Sequence, residues 1–210
     1  MDDQHKSIAV WDKVARVYQE KFMDLDLYDA TYDLFCSYLA QPGARVFEIG
    51  CGPGNVTKYL LAKRPDLKIE AIDSSLNMIE LARINNPTAS FRVMDARDLH
   101  SHSGPYDGIL CGFCLPYLSK EECEALIKQS AALLKAGGIL YLSVIEGDYS
   151  RSGYETGSTG DSLYVYHHEA AYLQDYLHKN GFEPLNLERR PYQKSGGEQS
   201  VHAIFIARKK

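Results

Sequence analysis

The stretch Val46-Phe47-Glu48-Ile49-Gly50-Cys51-Gly52-Pro53-Gly54-Asn55 constrains this chain more than any other. Val46, Phe47 and Ile49 read as the end of a buried strand. Glycines follow at every second position, Gly50, Gly52 and Gly54, and then Val56, Tyr59, Leu60 and Lys63 fall at helical spacing. Strand, glycine turn and helix bring a nucleotide-like ligand against bare backbone. Glycine permits positive φ and has no Cβ in the way, so backbone N–H groups can face the ligand. A dinucleotide-binding loop would carry its third glycine at position 55. That position is Asn55, so the pattern is E-x-G-x-G-x-G.

The rest of the chain repeats the strand–helix alternation. An amphipathic helix is expected over 8–22, with Trp11, Val14, Ala15, Tyr18 and Phe22 on one face, and a second over 28–39. Strands are expected at 44–49, 68–72, 90–94, 106–111 and 139–145. Helices intervene at 55–63, after Ser74 or Ser75, and from the capping box Ser119-Lys120-Glu121-Glu122 to Ala136-Gly137-Gly138. Such alternation predicts a doubly wound α/β fold with a parallel sheet. The last two strands, 183–187 and 201–207, are separated only by Pro191–Gly197. That is too short for a crossover, so they should form an antiparallel hairpin. We expect a Rossmann-like, seven-stranded, mostly parallel sheet in a single domain over 1–210. Residues 1–40 would be a helical cap, and the Gly-, Ser- and Tyr-rich stretch 147–167 a substrate lid.

Bulk properties exclude some classes. A chain of 210 residues, 45% hydrophobic and 24% charged, fits an ordinary globular protein. The formal charge of -5 gives no general attraction to nucleic acid or anionic membrane. Five cysteines, an odd number in mostly apolar surroundings, fit free thiols in a reducing compartment. Cys111 and Cys114 have C-x-x-C spacing but no second pair or nearby histidine in sequence, so no metal is expected. Met1 to Lys6 is polar, no signal peptide is expected to begin there, and no apolar run approaches a membrane span. A cytoplasmic monomer or homodimer is the expectation.

Ligands of open α/β sheets bind at the carboxyl ends of the strands. Glu48, Asp73 and Asp95 stand at or near such ends. Asp73 follows the glycines by about twenty residues, where a carboxylate can accept hydrogen bonds from ribose hydroxyls. It can equally serve as a helix cap. With the glycine loop and the terminal hairpin, this ordered series resembles the class I S-adenosylmethionine-dependent methyltransferases from about residue 8 onward. Ala71-Ile72-Asp73-Ser74-Ser75 with Met78, Val93-Met94-Asp95-Ala96, Tyr106–Cys111 and Leu134–Leu140 look like the family's later motifs.

The resemblance implies S-adenosylmethionine as methyl donor and S-adenosylhomocysteine as product. It implies that Gly50, Cys51, Gly52 and Gly54, with Asn55, pack against the cofactor while Glu48 orders the loop. Asp73 would bind the ribose, Ser74 and Met78 would flank the adenine, and Asp95 and Ala96 would face its edge. Cys111, Gly112 and Phe113 would lie below the sulfonium, and Tyr18 is the candidate tyrosine of the N-terminal helix. The segment after the fourth strand lacks the Asn/Asp-Pro-Pro-Tyr of amino-methylating nucleic-acid enzymes, which leaves a small-molecule acceptor. Tyr117, Tyr149, Tyr154, Tyr164 and His167 are candidates to meet it, and His167 or His168 could act as a base. An NAD-linked oxidoreductase and a non-catalytic S-adenosylmethionine-binding regulator are the rival readings. No catalytic residue is assigned.

Overall fold

A computed structural model describes residues 3–157, 159–194 and 197–210. Positions 1–2, 158 and 195–196 lie outside the described residues. They include the start of the polar N-terminal stretch, one position of the expected lid and part of the Pro191–Gly197 connection. Helices α1 (Asp3–Phe22) and α2 (Asp29–Tyr38) come first. Then follow β1 (Arg45–Ile49), α3 (Asn55–Lys63), β2 (Lys68–Asp73), α4 (Leu76–Asn85), β3 (Ser90–Val93), β4 (Tyr106–Cys111), α5 (Lys120–Leu133) and β5 (Leu134–Glu146). The chain ends with β6 (Gly153–Thr156), β7 (Ser162–Val165), α6 (Ala170–Lys179), β8 (Phe182–Gln193) and β9 (Gln199–Lys209).

Seven strands form one sheet in the order β3-β2-β1-β4-β5-β9-β8. β1 to β5 run parallel, and β9 pairs antiparallel with both β5 and β8. The expected terminal hairpin is therefore part of the main sheet. Alternate residues of each strand face opposite layers. Val46, Leu110, Tyr141 and Ile204 meet Phe35 of α2 and Leu60 of α3 in one core. Phe47, Ile109, Leu140 and Phe205 meet Leu126 of α5 and Leu173 of α6 in the other. The α5 capping box is complete: Ser119 Oγ accepts from Glu122 N, and the Glu122 carboxylate accepts from Ser119 N at 2.7 Å.

Three boundaries differ from expectation. β8 and β9 pair from Phe182↔Lys209 to Gln193↔Gln199, well beyond 183–187 and 201–207. The sequence places Pro191 at the start of the connection, but β8 is an edge strand, where a missing N–H costs no ladder bond. Helix α5 stops at Leu133, not at Ala136-Gly137-Gly138, because Leu134 already pairs with Tyr106 at the start of β5. Within 147–167, where no strand or helix is expected from the sequence, a short 3-10 turn at Tyr149–Arg151 and the β6–β7 hairpin are present.

Helix α1 is tied across the sheet's carboxyl edge. Asp12 Oδ1 accepts from Ser75 Oγ at 2.5 Å and Asn77 N at 3.0 Å, and Gln19 Oε1 accepts from Asn85 Nδ2 at 2.7 Å. Lys13 Nζ reaches Asp161, beside the hairpin, at 2.8 Å. Among the described residues no helix is long and apolar enough to cross a membrane.

Candidate active site

The glycine loop leaves β1 with Gly50, Gly52 and Gly54 at φ 71°, 54° and 82°, where other residues are strained. Two of these glycines also leave no room for a side chain. A Cβ on Gly50 would lie 2.8 Å from Cys114 Cβ, and one on Gly54 would lie 2.4 Å from Asn86 Nδ2. The loop's amides are not free to meet a ligand, contrary to the sequence expectation. Gly50 N and Cys51 N donate to Ile72 O at 2.8 and 2.9 Å, and Gly54 N donates to Cys51 O at 3.0 Å. Gly52 N donates to Asp73 Oδ2 at 2.9 Å. The loop thus offers close approach of its Cα atoms.

Asp73 holds the loop and the next helix together, since its Oδ1 accepts from Ser75 N at 2.9 Å. Ser75, not Ser74, caps α4, accepting from Met78 N at 3.1 Å. Asp73 is therefore not the cap itself, and each of its oxygens takes one backbone bond, leaving acceptor capacity toward the cleft. Burial raises its carboxyl above the usual range, opposed by the bonds from Ser75 and Gly52.

On the far wall, Asp95 accepts from Arg97 N at 2.8 Å and pairs with the Arg97 guanidinium at 3.2 Å. The same guanidinium reaches Glu122 at 2.5 Å and the Tyr117 carbonyl at 3.0 Å. Sequence reasoning missed Arg97; only its place two residues after Asp95 could have marked it.

A cavity of about 180 Å³ lies among these groups. Gly50, Gly52, Asp73, Ser74, Met78, Asp95, Ala96, Gly112 and Phe113 line it, and Tyr18 closes it from α1. Tyr117 and Tyr164 line it as well. Trp11, Met94, Arg97 and Cys114, which the sequence did not assign to a site, are also on its wall. Glu48, Cys51 and Cys111 are buried beneath it, and Gly54 and Asn55 begin α3 outside its lining. Glu48 accepts a short hydrogen bond from Thr57 Oγ1, and burial lifts its carboxyl to about 8.

A larger cavity of about 790 Å³ adjoins the first. Val10, Val14 and Val17 of α1 form one wall, and Leu163 and Val165 of β7 belong to its lining. Trp11, Tyr18 and Tyr117 line both cavities. Trp11 packs edge-on against Tyr18 at 5.6 Å and Tyr117 at 5.2 Å. His167 lines only the larger cavity, while Tyr149 and the 57% exposed Tyr154 line neither.

Neither candidate base turns a free nitrogen outward. His167 Nε2 is 3.2 Å from Glu155 Oε1, and its buried Nδ1, which has no partner among the described residues, faces Gly147. His168 Nε2 bonds Leu115 O at 2.9 Å and its Nδ1 bonds Tyr172 Oη; burial pushes this imidazole down to about 4. Among the described residues, no group of three or more His, Cys, Asp or Glu is arranged to hold a metal ion.

The fold and this cleft are similar to those of class I S-adenosylmethionine-dependent methyltransferases. Residues 46–138 match the family model described as a methyltransferase domain, which bears out the resemblance read in the sequence. A ubiquinone biosynthesis O-methyltransferase of Xanthomonas campestris pv. campestris is 31% identical over 118 residues, covering 54% of this chain and 48% of that protein. The chain thus spans about half the length of the curated relatives it matches. In fold it is similar to magnesium protoporphyrin IX methyltransferase from Synechocystis PCC 6803 with bound S-adenosylhomocysteine. The TM-score is 0.75 and the identity 19%, over 100% of both chains. It is also similar to 1,6-didemethyltoxoflavin-N1-methyltransferase from Burkholderia thailandensis, solved with its namesake ligand and S-adenosylhomocysteine. There the TM-score is 0.71 and the identity 19%, over 100% of this chain and 91% of that one.

Proposed function

We propose that this chain binds S-adenosylmethionine and transfers its methyl group to a small-molecule acceptor. The observation that carries the reading is the junction of two cavities at Trp11, Tyr18 and Tyr117. One has the glycine loop and Asp73 suited to an adenosyl ligand, and the other has room for a second molecule. The residues fit the donor: Asp73 for ribose hydroxyls, Asp95 for the adenine amino group, Met78 and Met94 for the ring faces, and Phe113 and Tyr18 toward the methyl. Bound there, S-adenosylmethionine supplies an electrophilic methyl on a sulfonium. The chain supplies proximity, alignment and exclusion of water, with the aromatic junction fixing the approach.

The three relatives are named for methylation of, or in the biosynthesis of, cyclic small molecules, which supports an acceptor of that kind here. We further take the chain as a single domain, with 147–167 acting as the acceptor lid and α1 as part of the cap, working in the cytoplasm as a monomer or homodimer. A screen of small-molecule acceptors for S-adenosylhomocysteine production tests the activity. Turnover with at least one acceptor is expected; cofactor binding without turnover on any would favour a non-catalytic binder.

A further inference from the structure

The larger cavity has a polar end that the methyl-donor site does not use. Glu155, on β6, is held from both sides. Its Oε1 lies 3.2 Å from His167 Nε2, and its Oε2 lies 2.7 Å from Lys194 Nζ. Burial alone would raise this carboxyl, but Lys194 and His167 outweigh it and keep it below the usual range, hence ionised. Each oxygen takes one bond, so the carboxylate keeps acceptor capacity toward the cavity that Glu155 lines. The cations closest to this end are engaged with acids: Lys194 with Glu155 and Arg151 with Glu198 at 3.9 Å. Lys21, the other lysine of the lining, stands on α1 with its ammonium over the Phe22 ring at 5.1 Å. The part of the lining that α1 supplies is largely apolar, with Val10, Val14 and Val17.

Resting on the methyl-transfer reading, we propose that the acceptor is an amphipathic molecule that presents a hydrogen-bond donor, a hydroxyl or an N–H, to Glu155. Its apolar body lies along α1, and its reactive end reaches the Trp11–Tyr18–Tyr117 junction. A carboxylate-headed compound is disfavoured. At that end it would meet an ionised Glu155 whose lysine, Lys194, is already paired with it, and a charge without a partner is costly to desolvate.

Trp11 is the chain's one tryptophan and lines both cavities, so its emission reports on each. The protein is first saturated with S-adenosylhomocysteine, then titrated with 4-butylphenol, 4-butylaniline and 4-butylbenzoate, with calorimetry in parallel. The phenol and aniline should bind at least about tenfold tighter than the benzoate, the size of one hydrogen bond lost and one charge repelled. Glu155→Gln should shrink that ratio to less than about threefold while leaving S-adenosylhomocysteine affinity unchanged. Benzoate binding as tightly as the phenol, no saturable binding of any probe, or undiminished discrimination by the Gln variant would each overturn the proposal. Should that variant fail to fold, the wild-type ratio alone decides. Absence of an S-adenosylhomocysteine signal instead overturns the cofactor reading, so the two fail separately.

Discussion

Replacing Glu48 by Gln should change how stability depends on pH. Glu48 is 1% exposed and its carboxyl titrates at about 8 in the fold, against an ordinary 4.5. The folded state therefore holds a proton that the unfolded state has released, and stability falls as pH rises between those two values. Each pH unit costs about 1.4 kcal/mol. Two buried histidines oppose it lower down. His168 and His202 titrate at about 4 in the fold, against an ordinary 6.5, so each destabilises as pH falls through that range. Below pH 6.5 two groups outweigh one, and stability rises with pH; above it the histidines approach neutrality in both states and Glu48 prevails. A stability maximum near pH 6.5 is expected, followed by a net loss of about 1 kcal/mol by pH 8, since the two histidines still add a little while Glu48 takes away more. Urea unfolding at a series of pH values measures this. In Glu48→Gln the fall above the maximum should vanish, because the amide does not titrate. A wild-type profile flat over that interval, or a Gln variant that keeps the slope, would refute the reasoning.

Two further substitutions probe the cleft. Asp73→Ala removes acceptors for Gly52 N and Ser75 N, so it should lower stability by about 2–4 kcal/mol in urea melts. It should also weaken S-adenosylhomocysteine binding at least about tenfold; unchanged affinity would remove Asp73 from the site. Asp12→Ala removes the acceptor of Ser75 Oγ and Asn77 N and leaves only the bond from Asn77 Nδ2 to the backbone carbonyl of residue 12. It should cost about 1–2 kcal/mol and move Trp11 emission toward longer wavelength, whereas an unmoved spectrum would show that α1 is held by other contacts.

Much of this architecture is legible where the chemistry is local. The bounds of α3 and β4 follow from apolar spacing alone, and the Ser119–Glu122 box marks the start of α5 as its hydrogen bonds require. What escaped the sequence depends on distant partners. Pro191 reads as the start of a connection until the edge position of β8 is known. The glycine loop reads as a row of free amides until Ile72 and Asp73 are seen to accept them. Trp11 fits the apolar stripe of α1, and only the approach of Tyr117 makes it part of two cavity walls. The Glu155–Lys194–His167 cluster draws on β6, the β8–β9 connection and the stretch before α6, so no sequence spacing could announce it.

Binding of the methyl donor is measured most directly by calorimetric titration of purified protein with S-adenosylhomocysteine and, separately, with NADH. One saturable site for S-adenosylhomocysteine, with a Kd of roughly micromolar order, and no saturable heat for NADH are predicted. No binding of S-adenosylhomocysteine, or tight binding of NADH, would contradict the assignment of the Gly50–Gly54 loop and Asp73.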